Sequence, residues 1–80
     1  MRNMSEKAEV LDTVGVACPI PIIMTAQRIK EIPIGGLLIV HSDDAGIQQD
    51  LKAWCLSNGQ QLISIAQRGT IYQASVRRLR

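Results

Sequence analysis

One short segment of the sequence combines a thiol with two prolines. Cys18 is followed by Pro19 and Pro21, where the apolar spacing becomes helical. A helix N-terminus carries about half a positive charge, which favours the nucleophilic thiolate form of a cysteine. Prolines are tolerated in a first helical turn, because its N–H groups have no partner within the helix. We expect a nucleophilic Cys18 on a stiff corner, with a moderately lowered pKa, and the N–H groups of Ile20 and Ile22 remaining for an anion.

The surroundings of this thiol favour carrying a chemical group over catalysing turnover. Position 21 is a proline rather than a second cysteine, so no Cys-x-x-Cys pair can expel a sulfur on Cys18 as an internal disulfide. No histidine and aspartate are evident beside it as general base and acid. A persulfide on Cys18 would therefore last long enough to reach a partner. The simpler alternative is that Cys18 is only a small residue ahead of a proline-initiated helix.

The second cysteine, Cys55, belongs to an apolar stripe. Ile47, Leu51, Trp54 and Cys55 recur at i, i+4, i+7 and i+8, a spacing that predicts the buried face of a helix. We therefore interpret Cys55 as a core residue. A redox switch formed by Cys18 and Cys55 is a further hypothesis, which fails if the two thiols cannot approach within disulfide distance.

Strands and helices alternate along the chain and must position these residues. The patterns predict strands over 10–13, 37–42, 61–67 and 70–77, and helices over 19–31 and between the Asp43-Asp44 pair and Asn58-Gly59. In the first helix the expected core stripe is Ile22, Ala26 and Ile29. Arg68-Gly69 is expected to form the turn of a hairpin.

The order βαβαββ predicts a fold of the α/β (α+β) class. In a chain this short it indicates a two-layer sandwich, with a mixed four-stranded sheet and two helices packed on one face. The register of the second strand stays open, since either Leu37 and Ile39 or Leu38 and Val40 can face the helices.

Length and composition restrict the class of protein. With 80 residues, 46% hydrophobic and 20% charged, the chain is expected to form a single domain over residues 1–80 with a flexible leader over 1–8. The sequence has one Trp, one Tyr, no Phe and a net charge of +2. So few aromatic residues and so small a charge argue against direct nucleic-acid binding.

Counts of metal-binding residues and the hydropathy pattern narrow the prediction further. Two cysteines and one histidine cannot form a Cys/His set of four, so neither a metal nor a cofactor is expected. No apolar run approaches the roughly 18 residues that span a membrane, and the N-terminal segment has no apolar core of a signal peptide. We expect a cytoplasmic protein with reduced thiols.

Polar residues near the motif have structural interpretations. Asp12 can hydrogen-bond the turn that presents Cys18, and Gly15 supplies that turn. Asp43 and Asp44 are interpreted as caps of the second helix. Basic side chains form either a solvated surface or a docking patch for an acidic partner or an anion such as thiosulfate: Arg28, Lys30, Arg68, Arg77, Arg78 and Arg80. Of these, Arg28 and Lys30 are on the helix that follows Cys18, two or three turns away.

Taken together, these residues resemble a known family. The pattern is Leu11-Asp12-x-x-Gly15-x-x-Cys18-Pro19-x-Pro21, then Gly36, Asp43-Asp44-x-Gly46 and Asp50-x-x-x-Trp54-Cys55-x-x-x-Gly59. Over residues 10–77 it is similar to the TusA/SirA-like sulfur carrier family. The chain departs from the usual pattern at Ala45, where the family often has proline, and at Ala17, where it often has arginine or a polar residue.

The resemblance implies a βαβαββ sandwich in which Cys18 receives sulfane sulfur as a persulfide. The implied donor is a cysteine desulfurase or a rhodanese-type protein, and the implied acceptor acts in tRNA thiolation, molybdenum-cofactor synthesis or sulfur oxidation. The leading hypothesis is therefore a monomeric, sulfurtransferase-type carrier that relays sulfur stoichiometrically rather than turning over by itself. The alternative is a non-catalytic nucleic-acid-binding or regulatory module with the same fold.

Overall fold

The computed structural model describes residues 8–80. Six elements follow one another: β1 (Ala8–Asp12), α1 (Ile20–Ile29), β2 (Leu37–Ser42), α2 (Ile47–Asn58), β3 (Gln61–Arg68) and β4 (Ile71–Arg77). This is the predicted βαβαββ order. The expected leader lies outside the described residues except for Ala8, which is the first residue of β1.

The four strands form one mixed sheet in the order β1-β2-β4-β3. β1 is parallel to β2, while β4 pairs antiparallel with both β2 and β3. The α1 crossover joins the parallel pair, as parallel strands require. A single buried cluster combines residues of both helices with one face of the sheet, which confirms the two-layer sandwich.

The register of β2 is the second of the two predicted alternatives. Leu38 and Val40 are fully buried, and they pair with Val76 and Ala74 of β4, which are buried too. Because successive side chains of a strand point to opposite faces, Leu37 and Ile39 face away from the helices.

The buried face of α1 differs from the predicted stripe. Pro21, Thr25 and Ile29 are the buried residues of this helix, four positions apart, while Ile22 and Ala26 are only partly buried. The Thr25 hydroxyl donates a hydrogen bond of 2.8 Å to the Pro21 carbonyl oxygen, so it enters the core without an unsatisfied polar group. Ile29 was predicted correctly, whereas Pro21 and Thr25 were missed because the prediction counted only aliphatic side chains.

The second half of the chain follows the prediction closely. Ile47, Leu51 and Cys55 are buried in α2, and Gly59 ends the helix with a φ of +68°, a conformation that favours glycine. The hairpin prediction was one residue out, since Arg68 still pairs with Ile71 and the turn is Gly69-Thr70. Within residues 8–80, neither helix has the length and hydropathy to cross a membrane.

Candidate functional site

The Cys18 motif lies where two loops meet at one edge of the sheet. β1 and β2 are parallel and in register, with Asp12 opposite His41, so both strands end at the same edge. The loop after β1 carries Cys18, and the loop after β2 carries Asp43 and Asp44. Residues that are distant in sequence are therefore neighbours here.

Carboxylates hold the first part of the Cys18 loop. The Asp12 carboxylate accepts a hydrogen bond of 3.0 Å from the Val14 N–H, in the turn for which this residue was expected to act. Asp43 reaches across from the second loop and accepts one of 3.0 Å from the Gly15 N–H. Gly15 has a φ of +89°, a conformation that side-chain-bearing residues rarely adopt. The turn before Cys18 is thus fixed from both strands.

Asp44 binds the motif itself. One of its carboxylate oxygens accepts a hydrogen bond of 2.9 Å from the Cys18 N–H, and the other accepts one of 2.8 Å from the Gly46 N–H. These hydrogen bonds, that of Cys18 first, lower the pKa of Asp44 below 3.8. The carboxylate therefore stays charged at neutral pH and fastens the Cys18 backbone to the start of α2.

The prediction that Asp43 and Asp44 cap α2 was right only in part. The N-cap residue of α2 is Gly46, which makes no side-chain cap, but the Asp44 carboxylate accepts the hydrogen bond of the Gly46 N–H at this helix end. Both aspartates also accept hydrogen bonds from the Cys18 loop, because the sheet brings the two loops together. Sequence reasoning could assign them only to their nearest helix.

The Cys18 thiol is half-buried and has a raised pKa of about 11. The largest cause is desolvation, followed by a hydrogen bond to the Asp50 carboxylate and by the negative charges of Asp44 and Asp50. The predicted lowering of this pKa was therefore wrong. The prediction from the helix N-terminus did not include the carboxylates of Asp44 and Asp50, which follow Cys18 by 26 and 32 residues in the chain.

The backbone N–H groups at the start of α1 are not free for an anion, contrary to the prediction. Ile20 donates to the Ala17 carbonyl oxygen over 3.0 Å, and Ile22 donates to the Pro19 carbonyl oxygen over 3.0 Å. The turn that presents Cys18 uses these donors itself. Pro19 and Pro21 occupy the start of the helix, as expected for its first turn.

Large apolar side chains are exposed on both sides of Cys18 in the chain. Val14, Ile20 and Ile23 keep 43%, 46% and 49% of their surface accessible, and we call these three residues the apolar rim. Isolated exposed aliphatic residues are ordinary, but these three lie in the motif loop and in the first turn of α1. Their exposure was not predicted from the sequence.

The structure does not bring Arg28 and Lys30 to the thiol. They lie at the far end of α1, a helix about 15 Å long at 1.5 Å per residue. Arg28 forms a salt bridge of 2.7 Å with Glu9 and a longer one of 3.6 Å with Glu31. Lys30 is exposed.

The remaining polar and thiol groups have simple surroundings. Cys55 is 2% exposed, and burial raises its pKa to about 11. Cys18 and Cys55 are both free thiols. His41 lies within hydrogen-bonding distance of Gln73, at 3.3 Å. No group of three potential metal ligands occurs within residues 8–80.

Asp50 is a residue near Cys18 that sequence reasoning quoted in the family pattern but gave no role. It is the acidic residue in the first turn of α2, and its Oδ2 atom and the Cys18 Cβ atom both border the space over Gly46. The available signal in the sequence was its position shortly after the paired aspartates. This signal can be interpreted only once the loops after β1 and β2 are known to meet.

Known proteins are similar in sequence to this chain over most of its length. The family model for the sulfurtransferase TusA matches residues 9–78. The putative sulfur carrier protein YrkI of Bacillus subtilis is 41% identical over 63 residues, which are 79% of this chain and 84% of YrkI. The sulfur carrier protein TusA of Pseudomonas syringae pv. syringae is 37% identical over 64 residues, covering 80% of this chain and 75% of that protein.

Another relative is longer than this chain. The putative sulfur carrier protein YrkF of Bacillus subtilis is 36% identical over 75 residues, which are 94% of this chain but 40% of YrkF. Among solved structures, the SirA-like protein from Desulfitobacterium hafniense superposes with a TM-score of 0.78, covering 92% of this chain and all of that one, at 21% identity. That similarity shows a shared fold. Because the family model spans nearly all of the described residues, the chain belongs to the TusA family.

Proposed function

We propose that this protein is a sulfur carrier that holds sulfane sulfur as a persulfide on Cys18. Membership of the TusA family and relatives named sulfur carriers support the carrier role. The observation that carries the proposal is the setting of the thiol. Cys18 is half-buried on a loop that three aspartates fix, while the other cysteine is enclosed in the core.

The proposed reaction moves one sulfur atom between two thiols. The Cys18 sulfur attacks the outer sulfur of a donor persulfide, R–S–S–H, and a new sulfur–sulfur bond forms as that of the donor breaks. The donor leaves with the bonding electron pair and takes up the proton that Cys18 loses. The products are R–S–H and Cys18–S–S–H, so atoms and charge balance without an external oxidant.

The carboxylates suit delivery as well as storage. Asp44 and Asp50 raise the pKa of the Cys18 thiol because their charges oppose an anion there, and the same charges oppose ionisation of a persulfide at this position. A neutral persulfide presents an electrophilic outer sulfur to the thiolate of an acceptor. An anionic one would repel that thiolate. The site thus favours the form of the cargo that can be handed on.

The proposed partners are proteins. A cysteine desulfurase or a rhodanese-type protein is the proposed donor, and a downstream protein in tRNA thiolation, molybdenum-cofactor synthesis or sulfur oxidation is the proposed acceptor. The apolar rim of Val14, Ile20 and Ile23, exposed in the segments on either side of Cys18, offers a contact surface. We propose a cytoplasmic monomer that works as one domain and holds no cofactor, with the partners supplying the catalytic machinery.

Intact-mass measurement after incubation with a cysteine desulfurase and cysteine tests this function. The wild type is expected to gain one sulfur atom, and Cys18→Ser is expected to gain none. Cys55→Ala is the matched control and is expected to load like the wild type, because Cys55 is enclosed in the core. A parallel incubation with thiosulfate and a rhodanese tests the second class of donor. Equal sulfur gain by the wild type and Cys18→Ser with either donor would refute the proposal.

A further inference from the structure

Four carboxylates surround the Cys18 loop, and they divide into two kinds. Those of Asp12, Asp43 and Asp44 accept hydrogen bonds from backbone N–H groups. In the part of the chain that the structure describes, the Asp50 side chain accepts no such backbone hydrogen bond, and its negative charge acts on the thiol of Cys18. The first three therefore hold the loop, while the fourth is available to the reacting sulfur.

The position of Asp50 follows from the first turn of α2. Its backbone N–H donates to the Gly46 carbonyl oxygen over 3.0 Å, which starts the helix. A Cβ atom built on Gly46 would stand 3.8 Å from the Asp50 Oδ2 atom and 3.9 Å from the Cys18 Cβ atom. The Asp44 Oδ1 atom is nearer still, at 3.2 Å. The Asp50 carboxylate and the cysteine side chain thus border the same space over Gly46.

Transfer of sulfur to Cys18 requires a proton acceptor. The thiol is protonated at neutral pH, since its pKa is about 11, and a thiolate is far more nucleophilic than a thiol. The single histidine of the sequence, His41, lies beside Gln73. The Asp50 carboxylate borders the same space over Gly46 as the Cys18 side chain, and it adds to the raised pKa of the thiol. Asp50 is therefore placed where a general base for Cys18 would have to lie.

We propose that Asp50 is a catalytic residue of the sulfur relay, accepting the proton of Cys18 as the cysteine sulfur attacks a donor persulfide. This inference rests on the proposed persulfide function. As the donor sulfur–sulfur bond breaks, the leaving donor sulfur takes the electron pair and receives the proton from Asp50. Delivery is the same reaction in reverse, with the acceptor in the place of the donor. Asp50 ends each transfer as a carboxylate, so it acts as a true catalyst.

The decisive experiment compares two properties of Asp50→Asn that the proposal moves in opposite directions. The substitution removes the charge and the proton acceptor with almost no change in size. The two charged groups that act on the thiol are Asp44, from the loop after β2, and Asp50, from α2. Losing one of them is expected to lower the pKa of Cys18, which appears as a shift to lower pH in the rate profile of its alkylation by iodoacetamide.

The rate of sulfur loading is the second property, and it is expected to fall. Cysteine persulfide at neutral pH is the donor, because a small donor separates chemistry from protein docking. General-base catalysis typically contributes a factor of roughly 100 to 10,000, so we expect Asp50→Asn to load at least about tenfold more slowly than the wild type. Asp50→Glu is expected to recover part of the rate, because it restores the carboxylate.

Glu31→Gln is the matched control, since it removes one exposed carboxylate at the far end of α1. It is expected to leave both the alkylation profile and the loading rate unchanged. If Asp50 acted only through its charge, Asp50→Asn would load as fast as the wild type or faster, because more of its Cys18 would be thiolate. That result would overturn the proposal, as would an unshifted alkylation profile in a folded variant. A wild type that never gains sulfur on Cys18 would instead refute the carrier function itself.

Discussion

Cys18 and Cys55 share a pKa of about 11 in very different surroundings. For Cys55 the cause is burial, since the residue is 2% exposed among the apolar side chains of the core. For Cys18 desolvation is again the largest cause, but a hydrogen bond and two negative charges add to it. One thiol is enclosed by the fold, and the other is half-buried at a loop that the fold presents.

The comparison shows that the protonation state alone does not identify the reactive cysteine. Both thiols are neutral at pH 7, yet only the pKa of Cys18 is influenced by neighbouring carboxylates, those of Asp44 and Asp50. The pKa of Cys55 can fall only if the core opens. The pKa of Cys18 depends also on two carboxylates, so neutralising either of them lowers it while the core stays closed.

The largest expected difference between the two thiols is in their access to a reagent. In the folded protein, iodoacetamide is expected to alkylate Cys18 at a rate that rises with pH up to about 11, in line with its raised pKa. Cys55 reacts only after the core opens, which for a domain of ordinary stability slows labelling by about a thousandfold or more. Mass spectrometry of peptides from partly labelled protein gives both rates.

Unfolding with urea is the control for this contrast, because it should bring the two cysteines to similar rates. Comparable labelling of Cys18 and Cys55 in the absence of denaturant would contradict the enclosure of Cys55. It would also favour the hypothesis of a redox switch between the two.

A smaller effect separates the thiols by stability. Cys55→Ser places a hydroxyl in the apolar core, and an unsatisfied buried polar group costs about 1–3 kcal/mol. Cys18→Ser changes a half-buried residue at the surface, where substitutions usually alter the free energy of unfolding by about 0.5 kcal/mol or less. Urea unfolding of the two variants against the wild type measures both. Equal losses would mean that Cys18 supports the core as much as Cys55 does.

The sequence was sufficient to predict the helices and strands and the buried face of α2. The spacing of Ile47, Leu51 and Cys55 is a property of the local chain, and it identified a helix face that the structure buries. The register of β2 could not be chosen in the same way, because its apolar run is continuous and both faces look alike. Pairing with β4 decides it, by placing Leu38 and Val40 against Val76 and Ala74.

Sequence reasoning located the motif loop but not its chemistry. The turn role of Asp12 is local and was foreseen. The hydrogen bond from the Cys18 N–H to Asp44 joins residues 26 apart, and it depends on two parallel strands ending at one edge of the sheet. The same neighbourhood supplies Asp50 and reverses the sign expected for the shift of the Cys18 pKa. The lowered pKa was predicted only from residues next to Cys18 in the sequence, so the effect of these distant carboxylates was not included.

The smallest expected effect concerns the carboxylate that fastens the Cys18 loop. Hydrogen bonds hold the pKa of Asp44 below 3.8 in the folded protein, so the charged carboxylate contributes stability that is fully present above pH 3.8 and is lost as the pH falls through the lowered value. Asp44→Asn keeps only one acceptor oxygen for the N–H groups of Cys18 and Gly46. It is expected to unfold at a lower urea concentration than the wild type at pH 7, and this gap should narrow below pH 3.8.

Glu31→Gln provides the control for this titration. Glu31 is an exposed carboxylate whose contact is the Arg28 side chain, and exposed pairs of this kind contribute about 0–1 kcal/mol. The unfolding midpoint of Glu31→Gln should therefore stay close to that of the wild type both at pH 7 and below pH 3.8. A gap between Asp44→Asn and the wild type that is constant down to the acid limit would mean that the shape of the Asp44 side chain, rather than its charge, holds the loop. In that case the negative charge of Asp44 would affect the pKa of the Cys18 thiol but not the stability of the loop.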